Sequence, residues 1–264
     1  MPDRDSHQPG VPCWVDHSSS DPARAADFYH ELFGWDTEDQ LPPEVSSRYF
    51  MCRLRGRDVA AIGSQQGDEA PAMWNVYIAV TDADETARKV RAAGGTVIGD
   101  PFDVFEAGRM ALLRDQAGAP LCLWQPQRNP GAEIVGEPGT LIWNELTTRD
   151  PDGSRRFYGD VFGWSGTTAA YEGVEYTFWQ LGDGPAGDGP GIAGMMPMIG
   201  DAWPADLPPH WMTYFAVADT DATCAACTRL GGAVAVPAFD TPTGRIAVLN
   251  DSLGAVLSVL QPPA

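Results

Sequence analysis

Polar and apolar residues alternate over 11–17, which puts Trp14 and Asp16 on one face of a strand and Val15 and His17 on the other. Asp21-Pro22 reads as a helix start, because Asp caps free N–H groups and Pro suits the first helical position. Phe28 and Leu32, and Tyr29 and Phe33, follow at i, i+4 spacing, so an amphipathic helix is predicted that stops at Gly34. Strands are predicted over 47–54 and 57–63, on either side of the Arg55-Gly56-Arg57-Asp58 turn. After a Gly-containing loop the pattern restarts at Met73. A strand over 74–80 and a helix over 82–93 closing at Gly94-Gly95 are followed by strands near 96–98, 109–114 and 120–125, the last after the turn Asp115-Gln116-Ala117-Gly118.

The pattern then repeats. Trp14, Asp21, Phe28 and Trp35 each recur 129 positions later, as Trp143, Asp150, Phe157 and Trp164. A fixed register over such a length marks a tandem duplication. The second half carries a strand over 211–217, a helix over 219–230, Gly231-Gly232, and strands near 233–235, 245–249 and 255–260. The expected fold is α+β, with four βαβββ units in two tandem domains. The boundaries are a disordered tail over 1–10, a first domain over 11–127, a Pro- and Gly-rich linker over 128–139, and a second domain over 140–264. A segment over 182–209 has no counterpart of similar length in the first half. It is expected to cover the second cup as a lid.

Composition narrows the function. A net charge of −19 would be repelled by nucleic-acid backbones and anionic membranes, and it permits cationic small ligands. No apolar run approaches the roughly 20 residues of a membrane span, and Met1 to Gly10 lacks a signal-peptide core, so a cytoplasmic protein is expected. Five cysteines show no disulfide-framework pattern. Nine tryptophans point to large aromatic cores or aromatic-lined cavities.

Two motifs carry less than they suggest. Gly182, Gly184 and Gly187 spell a dinucleotide-binding pattern, but prolines interrupt it and no helix is predicted after it. Cys224 and Cys227 have redox-motif spacing but fall inside a helix, as small buried side chains do. Arg109 and Arg245 match between the halves and read as partners for carboxylates. His17 is expected on an outward strand face, His30 on the polar side of a helix and His210 before a strand, all in surface or loop roles.

Paired βαβββ units, Phe-Tyr-x-x-x-Phe-Gly-Trp helices, Gly-Gly helix ends and Asp-x-x-Gly before the final strand resemble the vicinal oxygen chelate superfamily. That group includes glyoxalase I, extradiol dioxygenases and bleomycin-resistance proteins, and the resemblance spans 11–261. It is narrower still to actinobacterial tandem proteins, some labelled hydroxylases. The resemblance implies sheets curled into cups and metal ligands on four strands of each cup. By spacing, those positions fall on Trp14, near Ala61, on Asn75 and on Cys122 in the first domain. In the second they fall on Trp143, near Ala193, on Met212 and on Ser258. Such a set lacks the imidazole and carboxylate ligands a divalent metal takes, so no metal and no cofactor are expected.

What remains is a cup lined, by strand parity, with Trp14, Asp16, Asn75, Tyr77, Cys122 and Trp124. A second holds Trp143, Glu145, Met212, Tyr214, Ser258 and Leu260. Aromatic walls with few polar groups suit a bulky aromatic ligand, and Asp16 and Glu145 would pair with a ligand amine. The bland reading sets the tryptophans in core packing and the carboxylates beside an Arg or at a solvated rim. Cys122, with no His placed to activate it, reads as a wall residue. The expected function is a metal-free binding protein that sequesters or carries an aromatic natural product, as a monomer with an internal pseudo-dimer or as a homodimer, alone or with a biosynthetic enzyme partner. The alternative is an enzyme, in which Asp16 or Glu145 acts as base or Asp16, Asn75, Glu145 and His210 supply unorthodox metal ligands. A purely structural or protein-binding module ranks behind both.

Overall fold

A computed structural model describes residues 5–65, 67, 70–171, 174–182, 191–201 and 203–263. The first half runs β1 (Pro12–Ser19), α1 (Pro22–Phe33), β2 (Asp36–Asp39), β3 (Tyr49–Leu54), β4 (Arg57–Ser64), β5 (Met73–Ala79), α2 (Ala83–Ala92), β6 (Thr96–Val104), β7 (Gly108–Arg114) and β8 (Pro120–Pro126). The second half runs β9 (Leu141–Thr148), α3 (Pro151–Phe162), β10 (Trp164–Tyr171), β11 (Val174–Leu181), β12 (Ala193–Pro197), β13 (His210–Ala216), α4 (Thr220–Arg229), β14 (Ala233–Thr241), β15 (Gly244–Asn250) and β16 (Val256–Gln261). Each half forms one mixed eight-stranded sheet, in the orders β2-β3-β4-β1-β5-β8-β7-β6 and β10-β11-β12-β9-β13-β16-β15-β14. The fold is therefore α+β, four βαβββ units in two tandem domains.

All four helices start from an aspartate whose side chain accepts a backbone N–H: Asp21 from Arg24, Asp82 from Glu85, Asp150 from Gly153 and Asp219 from Ala222. α1 and α3 end at Gly34 and Gly163 in the left-handed conformation. Their apolar faces enter a core shared by both halves, where Phe215 of β13 packs tilted against Phe33 and edge-on against Trp74, at centroid distances of 5.1 and 5.0 Å.

The two domains bind each other through reciprocal polar contacts buried in that core. The Tyr29 hydroxyl of α1 donates to Asp251 Oδ2 of the second domain at 3.0 Å, and the Tyr158 hydroxyl of α3 donates to Asp115 Oδ2 of the first at 3.1 Å. Trp74 Nε1 donates to the Tyr29 hydroxyl and Trp211 Nε1 to the Tyr158 hydroxyl, each at 3.0 Å. The other oxygen of each aspartate closes its own turn, accepting from Ala117 and Ala119, or from Leu253 and Ala255. A second reciprocal pair joins Trp35 Nε1 to Gly139 O at 2.7 Å and Trp164 Nε1 to Gly10 O at 2.6 Å. Gly10 and Gly139 have φ of +89° and +84°. A Cβ on Gly10 would meet Leu181 Cδ2 at 2.7 Å, and one on Gly139 would meet Phe33 O at 3.0 Å.

Four expectations are corrected here. His7 to Gly10 is an ordered part of the fold rather than a tail: His7 is buried with Nε2 at 2.9 Å from Ala132 O, and Gly10 holds the Trp164 contact. The 128–139 stretch lies on the first domain, with Ala132 N bonded to Cys13 O and Trp124 Nε1 to Asn129 O. The 182–209 segment is not a lid as a whole, because it contains β12, an interior strand between β11 and β9. Of the Gly-rich pattern, Gly184 and Gly187 lie outside the described residues, and the next element among the described residues is strand β12.

The fourth concerns His17, which is fully buried between the domains, with Nε2 at 2.8 Å from Asp251 Oδ2. Strand alternation turns it away from the cup, as expected, but that face meets the other domain instead of solvent. Its counterpart in the second half is Leu146, also fully buried. The two otherwise matching aspartates therefore differ. Burial pushes both carboxyls up, but the hydrogen bond and charge of His17 outweigh it at Asp251, which lies below the ordinary carboxylate range. Asp115, without a histidine, lies above that range. Arg109 and Arg245 take the structural roles expected, each clamping two aspartates (Asp84 and Asp103, Asp221 and Asp240).

A depressed carboxyl pKa contributes stability that is present above the unfolded value of about 3.9 and lost as pH falls through the folded one. His17→Leu is expected to raise the Asp251 carboxyl toward the behaviour of Asp115. It should cost about 1–3 kcal/mol at neutral pH, with the difference from wild type shrinking in acid. Urea unfolding across pH, with an NMR titration of Asp251, reads both; an unchanged Asp251 titration would show that His17 does not set it.

Candidate functional site

The cup faces of the sheets are built from strands β1, β3, β4, β5 and β8, and from their counterparts β9, β11, β12, β13 and β16. In the first, Trp14, Tyr77 and Cys122 lie side by side across β1, β5 and β8, and Ala61, Asp16 and Asn75 form the next row. At the centre is the Asp16 carboxyl. Oδ2 accepts from the Tyr77 hydroxyl at 2.6 Å and the Tyr49 hydroxyl at 3.3 Å, and Oδ1 accepts from Asn75 Nδ2 at 2.8 Å. Asn75 Nδ2 also reaches Ser18 Oγ at 2.8 Å. Burial raises the Asp16 pKa, and the bonds from Tyr77, Asn75 and Tyr49 pull back against it. Trp14 pairs with the Tyr49 hydroxyl.

The second cup repeats this arrangement. The Tyr214 hydroxyl donates to Glu145 Oε1 at 3.1 Å, the Tyr176 hydroxyl is the second partner of that carboxyl, and Trp143 Nε1 donates to the Tyr176 hydroxyl at 3.0 Å. Burial again raises the carboxyl, opposed by Tyr176 and then Tyr214. Each cup thus holds a carboxyl between two tyrosine hydroxyls, one of which also takes an indole N–H. Both carboxyls are buried, and among the described residues neither is paired with an arginine.

The two cups differ in cover. In the first, Trp14, Asp16, Tyr77, Cys122 and Trp124 are all buried, and Met51, Ala132 and Val135 close over them. The Cys122 thiol is pushed up by burial, so it is held protonated as a wall residue. In the second, Glu145 and Ser258 are buried, but Trp143, Tyr176, Met212 and Tyr214 are half-buried and Phe178 is exposed. Leu260 is buried at 8% exposure. His210 opens β13 with Nδ1 at 2.9 Å from Pro208 O, two residues from Met212, the partner of Glu145 across the strands. It pairs in register with Thr147, on the same face as Glu145 and one row away, and its ring bonds Pro208 O.

Sequence reasoning missed Tyr49 and Tyr176. The signal was alternation along β3 and β11, where Tyr49 and Met51 match Tyr176 and Phe178. These pairs lie 127 apart, so a search at the fixed period of 129 passes over them. Register also moves one expected position. Glu145 pairs with Gly194, as Asp16 pairs with Ala61, so the counterpart of Ala61 is Gly194 and not Ala193.

Two sheets of paired βαβββ units with a polar group at the floor of each cup define a tandem glyoxalase-like protein. The model of the Glyoxalase/Bleomycin resistance protein/Dioxygenase superfamily matches the chain twice, over 14–123 and 140–257, and the chain belongs to that family. Its relatives include the "Putative glyoxylase CFP32" of Mycobacterium tuberculosis, 42% identical over 99% of this chain and 98% of that protein. Another is the "Anthracycline biosynthesis protein DnrV" of Streptomyces peucetius, 37% identical over 96% and 94%. Among solved structures, the Mn(II)-bound glyoxalase from Novosphingobium aromaticivorans shares the fold at a TM-score of 0.65 and 12% identity, over 96% of this chain and 82% of that one. The 2,3-dioxygenase LapB from Pseudomonas sp. KL28 shares it at 0.65 and 13%, over 98% and 94%.

The donors at the superfamily's metal positions do not fit a divalent ion. Trp14 and Trp143 offer only an N–H, Ala61 and Gly194 offer no side-chain donor atom, Cys122 is held as a thiol, and Asn75, Met212 and Ser258 are weak neutral donors. The nearby carboxyls already accept tyrosine hydroxyls. Among the described residues no group of three or more His, Cys, Asp or Glu side chains is arranged to hold a metal.

Two outcomes follow. Isothermal titration with Mn(II) is expected to show no stoichiometric site; one tightly held Mn(II) per cup would overturn this donor assignment. Glu145 is expected to titrate above the ordinary glutamate range, and Tyr176→Phe or Tyr214→Phe to push it further up, as read by infrared difference titration of the carboxyl band. A downward shift in either variant would contradict the clamp.

Proposed function

We propose that the chain is a metal-independent binding protein for a bulky aromatic small molecule, which it holds against the cup face to sequester or carry it in the cytoplasm. The observation that carries this reading is the repeated carboxyl–tyrosine–tryptophan cluster where the superfamily places its metal. Aromatic faces around a few fixed polar groups match what planar ligands need. The relative named for anthracycline biosynthesis supports a polycyclic aromatic ligand. Each cup is built from its own domain's strands, so one chain suffices as the functional unit. No helix among the described residues is long and apolar enough to cross a membrane.

A ligand amine would find a carboxyl that burial inclines toward its neutral form, and the cation would have to draw it back to the charged one. The comparison that tests this is daunorubicin, which carries an amino sugar, against its neutral aglycone. Saturable tryptophan quenching is expected, with the ligand recovered at unchanged mass. Tighter binding of daunorubicin as pH rises through the Glu145 titration would support recognition of the amine. Saturable binding of neither compound would sink the proposal. A changed ligand mass would instead favour the acid–base reading of Glu145, which its raised pKa also supports.

A further inference from the structure

The duplication offers two cups, and among the positions where their floors differ is the one beside the central carboxylate residue. Ala61 and Gly194 are equivalent, each paired in register with the central carboxylate residue. A Cβ built on Gly194 would stand 1.8 Å from the Tyr176 hydroxyl oxygen and 2.8 Å from Trp143 Nε1. Gly194 is buried and in no left-handed conformation, so the glycine is required by space and not by backbone geometry. The Tyr176 hydroxyl fills the space a Cβ would take, where it meets the Trp143 indole and the Glu145 carboxyl; in the first cup Tyr49 makes the matching contacts beside Ala61. Above that floor Trp143, Tyr176, Met212 and Tyr214 keep half-exposed surfaces, and Phe178 is 41% exposed. In the first cup the equivalent of Phe178 is Met51, at 9%. Trp14 is at 4%, and Ala132 and Val135 from the 128–139 stretch pack over the cluster while Asn129 O takes the Trp124 N–H.

We propose that the second cup alone takes the aromatic ligand, and that Gly194 is the specificity-determining residue that lowers its floor by seating Tyr176 under the ligand plane. The first cup is the same constellation turned into core. This rests on the binding reading above and narrows it to one site: a planar ring system lies over the exposed surface of Phe178 and the neighbouring Trp143, whose rings meet at 6.4 Å between centroids, with its polar edge toward the Tyr176–Glu145–Tyr214 cluster.

Native mass spectrometry with the daunorubicin aglycone is expected to count one ligand per chain. A tryptophan-selective benzylating reagent should modify Trp143 and not Trp14 in the free protein, and the aglycone should protect Trp143. Gly194→Ala, which lifts Tyr176 into the ligand plane, should weaken binding by about tenfold or more. Circular dichroism and the unfolding midpoint check that this variant folds; stoichiometry and protection are read on the unaltered chain and stand without it. Two aglycones per chain, protection at the first cup, or a folded Gly194→Ala variant with unchanged affinity would each overturn the single-cup assignment while leaving the binding reading intact. No binding of either the aglycone or daunorubicin by the unaltered chain would overturn both.

Discussion

The reciprocal Tyr29–Asp251 and Tyr158–Asp115 contacts are the constraint on which the rest of the molecule depends. Each aspartate folds its own final turn with one oxygen and takes the other domain's tyrosine with the second. Neither domain can satisfy these buried groups alone, and an unsatisfied buried hydroxyl or carboxyl costs about 1–3 kcal/mol or more. The Phe-Tyr-x-x-x-Phe-Gly-Trp helix and the Asp-x-x-Gly turn are therefore two halves of one interface. The tryptophan that ends the helix serves the same interface through Gly10 and Gly139. Docking the domains this way commits one face of each sheet to the shared core and leaves the other as the cup.

That commitment decides what the cup can contain. A carboxyl on its floor has little water to solvate it, so it needs donors or gives up its charge. Both cups meet the need with two tyrosine hydroxyls, and a metal would have to compete with those bonds for the carboxyl oxygens. Duplicated elements then diverge by single residues. His17 against Leu146 sets two matching aspartates on opposite sides of the ordinary range. At Gly194, where the first domain has Ala61, the Tyr176 hydroxyl occupies the place of a Cβ.

Much of this was legible in the sequence. The element order, the tandem repeat, the Asp caps of the helices and the structural arginine pairs follow from local rules: period, capping and like spacing act within a few residues. Trp14, Asp16, Asn75, Tyr77, Cys122 and Trp124, and their second-domain counterparts, were placed on one face by strand parity alone, because side chains alternate strictly along a strand. Strand parity could not identify Tyr49 and Tyr176. Loops of unequal length shift their spacing away from the period that revealed the repeat.

The sequence by itself determined that the chain is two copies of one α+β unit, and which face of each central strand is chemically interesting. The tertiary structure decided what lies opposite those faces. His17 is buried because the second domain covers it, His7 because the 128–139 stretch returns past it, and one cup is closed while its twin keeps exposed aromatic surface. These are contacts between residues far apart in the chain, fixed by strand register and domain docking, and no local pattern of polar and apolar positions encodes which partner will arrive.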